Sequence, residues 1–179
     1  MTVLNRNPAN PNLLHANKFQ FNFSRAPNLQ YFCQSVMIPG ISLMEIPKNN
    51  PFVDLYSPGE KAIYDTLNLT FLVDEDLTAW REIHDWIRAM SFPTDFAEYR
   101  SLKQNRNYIA SESRKGFEQF SDGALTILST ANKPAFKFKF YDMFPVSVTA
   151  FSLSSTQSPE DVVTADVTFR FAYYDIEVL

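Results

Sequence analysis

Glycine is scarce in this chain: four in 179 residues, at positions 40, 59, 116 and 123, each standing alone. That spacing leaves no glycine-rich loop to cradle a phosphate. It also leaves no Gly-x-Ser-x-Gly turn to present a serine nucleophile. Cysteine occurs once, so Cys33 has no intrachain disulfide partner; its β-like context reads as a buried, inert thiol. The two histidines, His15 and His84, do not combine with Cys33 at ligand spacing for a metal. His84 falls beside a helical apolar stripe, where it reads as a satisfied, partly buried side chain. Asp74, Glu75 and Asp76 lack the glycine and terminal glutamate of an EF-hand loop, so they read as helix-capping acids. No apolar run approaches the roughly 20 residues needed to span a bilayer. The N-terminus, MTVLNRNPANPNLLHANK, has no basic-then-apolar leader. A net charge of −4 argues against general affinity for duplex nucleic acid. The expectation is a protein that is not an enzyme and needs no cofactor.

Aromatic residues are plentiful, with 17 Phe and 8 Tyr. A single domain of this length buries about 70% of its unfolded surface, enough for an aromatic core without a disulfide. Residues 1–17 are Asn- and Pro-rich and predict a flexible N-terminal arm, with one β domain over 18–179. Phe19, Phe21 and Phe23 alternate with polar residues, as in a half-buried strand. Tyr31 to Ile38 predicts a second strand, closed by Pro39-Gly40. Leu67, Leu69, Phe71 and Val73 predict a third.

In residues 76–90, Leu77, Trp80, Ile83, His84 and Ile87 recur at the helical period. Trp80, Ile83 and Ile87 are expected to be buried, and Arg81, Glu82, Asp85 and Arg88 exposed. Residues 91–122 predict a long loop with one short helix near 95–102. Such a loop hints at a contact surface. Ala124 to Ser129 is short and apolar. Phe136, Phe138 and Phe140 alternate with Lys137 and Lys139, which sends rings and lysines to opposite faces. A core-facing Phe row with a solvated Lys row is favoured over a base-stacking surface. Pro145 should break the chain, with Ser147 to Leu153 resuming it. Val163, Ala165, Val167, Phe169, Phe171 and Tyr173 then predict one face of a last strand. The sum is a mainly β fold: two packed antiparallel sheets, a sandwich or flattened barrel, with one flanking helix at about 76–90.

Residues 46–64, IPKNNPFVDLYSPGEKAIY, ask for a special explanation. Pro51 and Pro58 bracket a β-prone run that cannot pair along its whole length. A protruding, partly apolar hairpin is an aggregation liability in a monomer and makes sense if other subunits cover it.

The segment from Met37 to Met90 combines an Ile-Pro-Gly turn, an "IP" segment, this hairpin, an LTF strand and a Trp-containing helix. It resembles the tail tube protein of contractile-tailed bacteriophages. The ending VTADVTFRFAYYDIEVL is similar to the C-terminal strand of the same family. The resemblance implies a β-sandwich flanked by a helix that joins in six-subunit rings. The rings would stack into the channel for genome ejection, with tail sheath and baseplate proteins as partners and DNA passing without specific binding. The product would reside in the virion tail after assembly in the host cytoplasm. By position, Phe52, Val53, Leu55, Tyr56, Ile63 and Tyr64 would form subunit and ring–ring contacts. Asn68, Thr70, Asp166 and Thr168, on polar strand faces, would line the channel. A baseplate tube-initiator, a tube-terminator or an Hcp-like injection tube shares the fold and stays open, as does a monomeric β-sandwich binding module.

Overall fold

A computed structural model describes residues 12–23, 25–91, 93–104, 119–156, 158 and 161–179. Most of the expected arm at 1–17, and the middle of the expected loop at 91–122, lie outside the described residues. The elements are β1 (Phe19–Phe23), α1 (Pro27–Phe32), β2 (Cys33–Met37), β3 (Ile41–Lys48), β4 (Leu55–Tyr64) and β5 (Leu67–Leu72). They continue with α2 (Thr78–Ser91), α3 (Phe96–Gln104), β6 (Ser121–Leu128), β7 (Pro134–Val148), β8 (Thr164–Arg170) and β9 (Tyr173–Val178).

Every strand pairing is antiparallel. Sheet A runs β1-β6-β7-β9, and sheet B runs β7-β8-β5-β2. Strand β7 belongs to both: Phe136 to Tyr141 pair with β9, and Phe144 to Val148 pair with β8. Pro145 therefore does not interrupt the chain. It sits at a register shift against β8, where a ladder bond is lost anyway and the strand can bend from one sheet to the other. The run expected to reach Leu153 stops at Val148, and Leu153 is exposed. The last alternating run likewise splits. Ala165, Val167 and Phe169 are buried on β8, but the chain bends at Phe171 and Ala172, and Tyr173 opens β9 in the other sheet.

The core is the aromatic interior expected from composition. Phe21, Phe23, Leu67, Leu69, Phe71, Leu125, Phe140 and Phe169 come from both sheets. The predicted strand over 31–38 begins later, because α1 occupies Pro27–Phe32. Proline at its first turn presets φ and forgoes an N–H that would have no helical partner. That turn drops Leu29 into the core and leaves Tyr31 exposed. Cys33 is half-buried, and burial pushes its thiol up to about 11, so it stays protonated at neutral pH.

Helix α2 starts two residues later than expected, with Leu77 in the left-handed region (φ 55°) just before it. The Asp74 carboxylate accepts from the N–H groups of Thr78 (2.8 Å) and Ala79 (3.1 Å), as the acidic cluster suggested. Slight desolvation pushes this carboxyl up, but those bonds outweigh it and hold it below its usual value.

The buried stripe of α2 is Ala79, Ile83, Trp86 and Ala89. This corrects the expected face: Trp80 and Ile87 are only half-buried on its flank, and Trp80 stacks on His84 with centroids 5.0 Å apart. Trp86 fits the same helical period but competes with Trp80 for the core. The buried ring is that of Trp86, which reaches Phe23 (5.6 Å) and Phe169 (6.3 Å).

Arg81, Asp85 and Arg88 are exposed as expected; Glu82 is not. Its carboxylate accepts from the Asn28 side chain (2.7 Å), the Asn28 N–H (3.2 Å) and the Leu29 N–H (3.4 Å), clamping α1 to α2. Burial raises the Glu82 carboxyl above its usual value, only partly offset by those donors. The folded state therefore holds this proton more tightly than the unfolded chain. The Glu82 contribution to stability is fullest at low pH and falls as pH rises through the window just above the ordinary glutamate value. Unfolding free energy measured against pH should lose that slope in Glu82→Gln; an unchanged slope would refute the assignment.

Candidate assembly surface

The hairpin stands apart from both sheets as a two-stranded ribbon, β3 with β4. It is longer than the segment read from sequence, reaching back from 46 to Ile41. Pro47 and Pro58 lie within its strands, opposite Tyr56 and Glu45. A two-stranded ribbon has only edge strands, so a missing proline N–H need cost no ladder bond. The strands are unpaired at an irregularity around Met44 and residues 59–61, and beyond their ends at the tip, 49–54, which carries Pro51, Phe52 and Val53.

Two close approaches fix the ribbon's shape. A register irregularity falls between Leu43 and Glu45, and there a Cβ on Gly59 would lie 2.5 Å from the Met44 carbonyl oxygen. At the base, the Asp65 N–H donates to the Gly40 carbonyl (3.1 Å), and a Cβ on Gly40 would lie 2.8 Å from Asp65 Oδ2. Gly59 needs glycine for space because it faces backbone, whereas at Gly40 the Asp65 side chain could swing aside. The Tyr64 ring packs on Phe171 (5.7 Å) and Tyr174 (5.3 Å), and Arg170 donates to the Tyr64 carbonyl (3.4 Å).

Beyond that anchor the ribbon is bare. Phe52 is 93% exposed, and Ile41, Leu43, Met44, Ile46, Val53, Leu55, Tyr56 and Ile63 are all exposed. Of the residues assigned to contacts from sequence, Phe52, Val53, Leu55, Tyr56 and Ile63 share this surface, while Tyr64 is half-buried at its root. The sequence reading missed Ile41, Leu43 and Met44. Residues 41–45 fall outside the segment assigned from sequence, and no local signal marks these three as exposed.

The four residues assigned to a channel do share one face. On sheet B, Asn68 pairs with Thr168 and Thr70 with Asp166, opposite in sense to the core-facing Leu69 and Val167. Thr70 Oγ1 donates to Asp166 Oδ1 (2.7 Å), and the Asp166 N–H donates to Thr149 Oγ1 (2.7 Å). The rows through these residues continue to Ser35 and Met37 on β2 and to Ser147 on β7. This sheet face presents hydroxyls, an amide and a carboxylate, with the exposed Met37 at its β2 edge.

Among the described residues, no group of three His, Cys, Asp or Glu stands close enough to hold a metal ion. No described helix is long and apolar enough to cross a membrane.

A large, exposed apolar ribbon on a helix-flanked sandwich is the architecture implied by the resemblance. The sequence model of the phage tail tube proteins matches residues 9–177. The chain belongs to the phage tail tube protein family. No curated protein sequence matches this tail tube protein.

Solved structures share its fold. The sheath–tube complex of the extracellular contractile injection system PVC, in its extended state, has a chain that is 16% identical. The match covers 94% of each chain with a TM-score of 0.62. The tube-terminating cap of the anti-feeding prophage is 13% identical over 100% of both chains, with a TM-score of 0.61. A type six secretion system protein is 12% identical over 91% of this chain and 84% of its own, with a TM-score of 0.50. At these identities the likeness is one of fold.

Proposed function

We propose that this tail tube protein forms closed six-subunit rings that stack into a tube, serving as a structural conduit without catalysis. The observation that carries this reading is the bare ribbon of β3 and β4. Its exposed apolar residues form the kind of contiguous patch that another subunit covers. Phe52, Val53, Leu55, Tyr56, Ile63 and Tyr64 then serve ring and ring–ring contacts. Asn68, Thr70, Asp166 and Thr168 line the lumen. Stacking on an exposed aromatic would hold a base by about 1–3 kcal/mol, whereas a polar, hydroxyl-rich wall lets DNA slide without a specific site. The outside of the tube would meet a sheath, and one end a baseplate, within the virion tail assembled in the host cytoplasm.

A second reading is a tube-terminating cap, favoured by the end-to-end match to the anti-feeding prophage cap. Negative-stain microscopy of the purified protein tests both. Stacked tubes support the conduit, single rings that do not stack support the cap, and dispersed monomers would refute assembly.

A further inference from the structure

The inner face of sheet A is apolar from edge to edge, but its cover is incomplete. Three cross-strand rows cross it. The first is Phe23, Gly123, Phe140 and Tyr174; the second is Phe21, Leu125, Phe138 and Ile176; the third is Phe19, Ile127, Phe136 and Val178. The first row lies within the core cluster. Along the other two, exposure climbs toward β9: Phe136 is 42%, Ile176 55% and Val178 78% exposed. Among the described residues, β9 pairs only with β7, so its outer edge is open as well. An apolar corner ending in an unpaired strand is a surface made for another chain.

The ribbon offers a matching face. Residues paired across a ribbon share a side, so Ile41 with Tyr64, Leu43 with Ala62, Glu45 with Pro58 and Pro47 with Tyr56 form one face. Ile46, Lys48, Leu55 and Ile63 belong to the other. On the first face Tyr64 already packs on Tyr174, the β9 residue two before Ile176. That face therefore begins where the uncovered corner begins. Within one chain the contact goes no further: Leu43 stays 56% exposed and Tyr56 61%, while Ile176 and Val178 stay bare. Charge also fits this face. Glu45 stands on it, whereas Lys48 stands on the other, and the exposed Lys133 immediately precedes β7 at the corner.

We propose that the Phe136, Ile176 and Val178 corner receives the Leu43 and Tyr56 face of the ribbon from a second copy of this chain. This rests on the ring-forming reading and names its acceptor. The two surfaces differ, so the contact is head-to-tail and repeats from copy to copy until the rotation closes a ring.

Cross-linking tests it. In a Cys33→Ser background, Leu43→Cys is combined with Val178→Cys, and separately Tyr56→Cys with Ile176→Cys; Met44→Cys with Val178→Cys is the opposite-face control. On oxidation, at least one of the first two should give a ladder of disulfide-linked oligomers on a non-reducing gel, and the control none. A fast-migrating monomer with an internal disulfide would mean the ribbon closes on its own corner and would overturn the proposal. Rings seen by microscopy without a ladder in either pair would place the acceptor elsewhere, overturning the proposal while leaving assembly intact. Wild-type protein that forms no rings would instead sink the assembly reading. Ile176→Asp should abolish rings with its melting temperature unchanged; undisturbed rings would count against the corner.

Discussion

Replacing Phe52, Leu55 and Tyr56 together with Ser is expected to leave a folded, soluble monomer and to abolish ring and tube formation. In the isolated chain these side chains are 93%, 50% and 61% exposed, so the domain core loses almost nothing when they go. The ribbon is joined to the sandwich through Tyr64, Asp65 and Gly40, none of which the triple variant touches. A standard subunit contact buries about 800 Å² per partner, and large apolar anchors near its centre carry most of the affinity. Removing three such anchors at ~1–3 kcal/mol each should weaken association by several powers of ten. Circular dichroism should report unchanged helix and sheet signals, while sedimentation shows a single species near the monomer mass. If the variant unfolds, the ribbon belongs to the intrachain core. If it still forms tubes, assembly runs through another surface.

The largest loss of stability is expected at Trp86, not at the other tryptophan. Trp86→Ala should cost about 3–5 kcal/mol as a large-to-small change at the centre of the core. The ring is 3% exposed and lies against Phe23 and Phe169. The Arg25 guanidinium sits 4.7 Å above it, and its Nε1–H donates to the Gln119 carbonyl (3.1 Å). Truncation opens a cavity beneath α2 and leaves that carbonyl without its donor. For a chain of this size the midpoint of thermal unfolding should fall on the order of 10 °C. Trp80→Ala, whose ring is half-buried between His84 and Phe151, should cost only about 1 kcal/mol. Equal losses at the two positions would refute the core face assigned to α2.

The contrast between the two tryptophans marks where sequence stops being informative. Period-two alternation in Phe19–Phe23, Leu67–Phe71 and Ala165–Phe169 determined three strands and their buried faces, because a side chain's side of a strand depends only on its own position. Clustered acids followed by a 3.6-residue period determined the helix and its Asp74 cap. The Ile-Pro-Gly turn and the prolines marked a ribbon unlike any central strand. Which way α2 turns about its own axis was not determined. Leu77, Trp80, Ile83 and Ile87 define one apolar stripe and Ala79, Ile83, Trp86 and Ala89 another, about one residue's rotation apart. Both satisfy the helical period, and only the shape of the sheet beneath, around Phe23 and Phe169, decides between them. The same holds for Pro145, which looks like a chain break until β7 is seen to pass from one sheet to the other. It holds for the channel residues too: alternation put Asn68, Thr70, Asp166 and Thr168 on polar faces, but their meeting on one face is a consequence of strand register. The exposure of Ile41, Leu43, Ile176 and Val178 was the least legible of all. An apolar residue in a strand pattern reads as buried, and only the tertiary structure shows that these residues stay exposed, with no layer among the described residues over them.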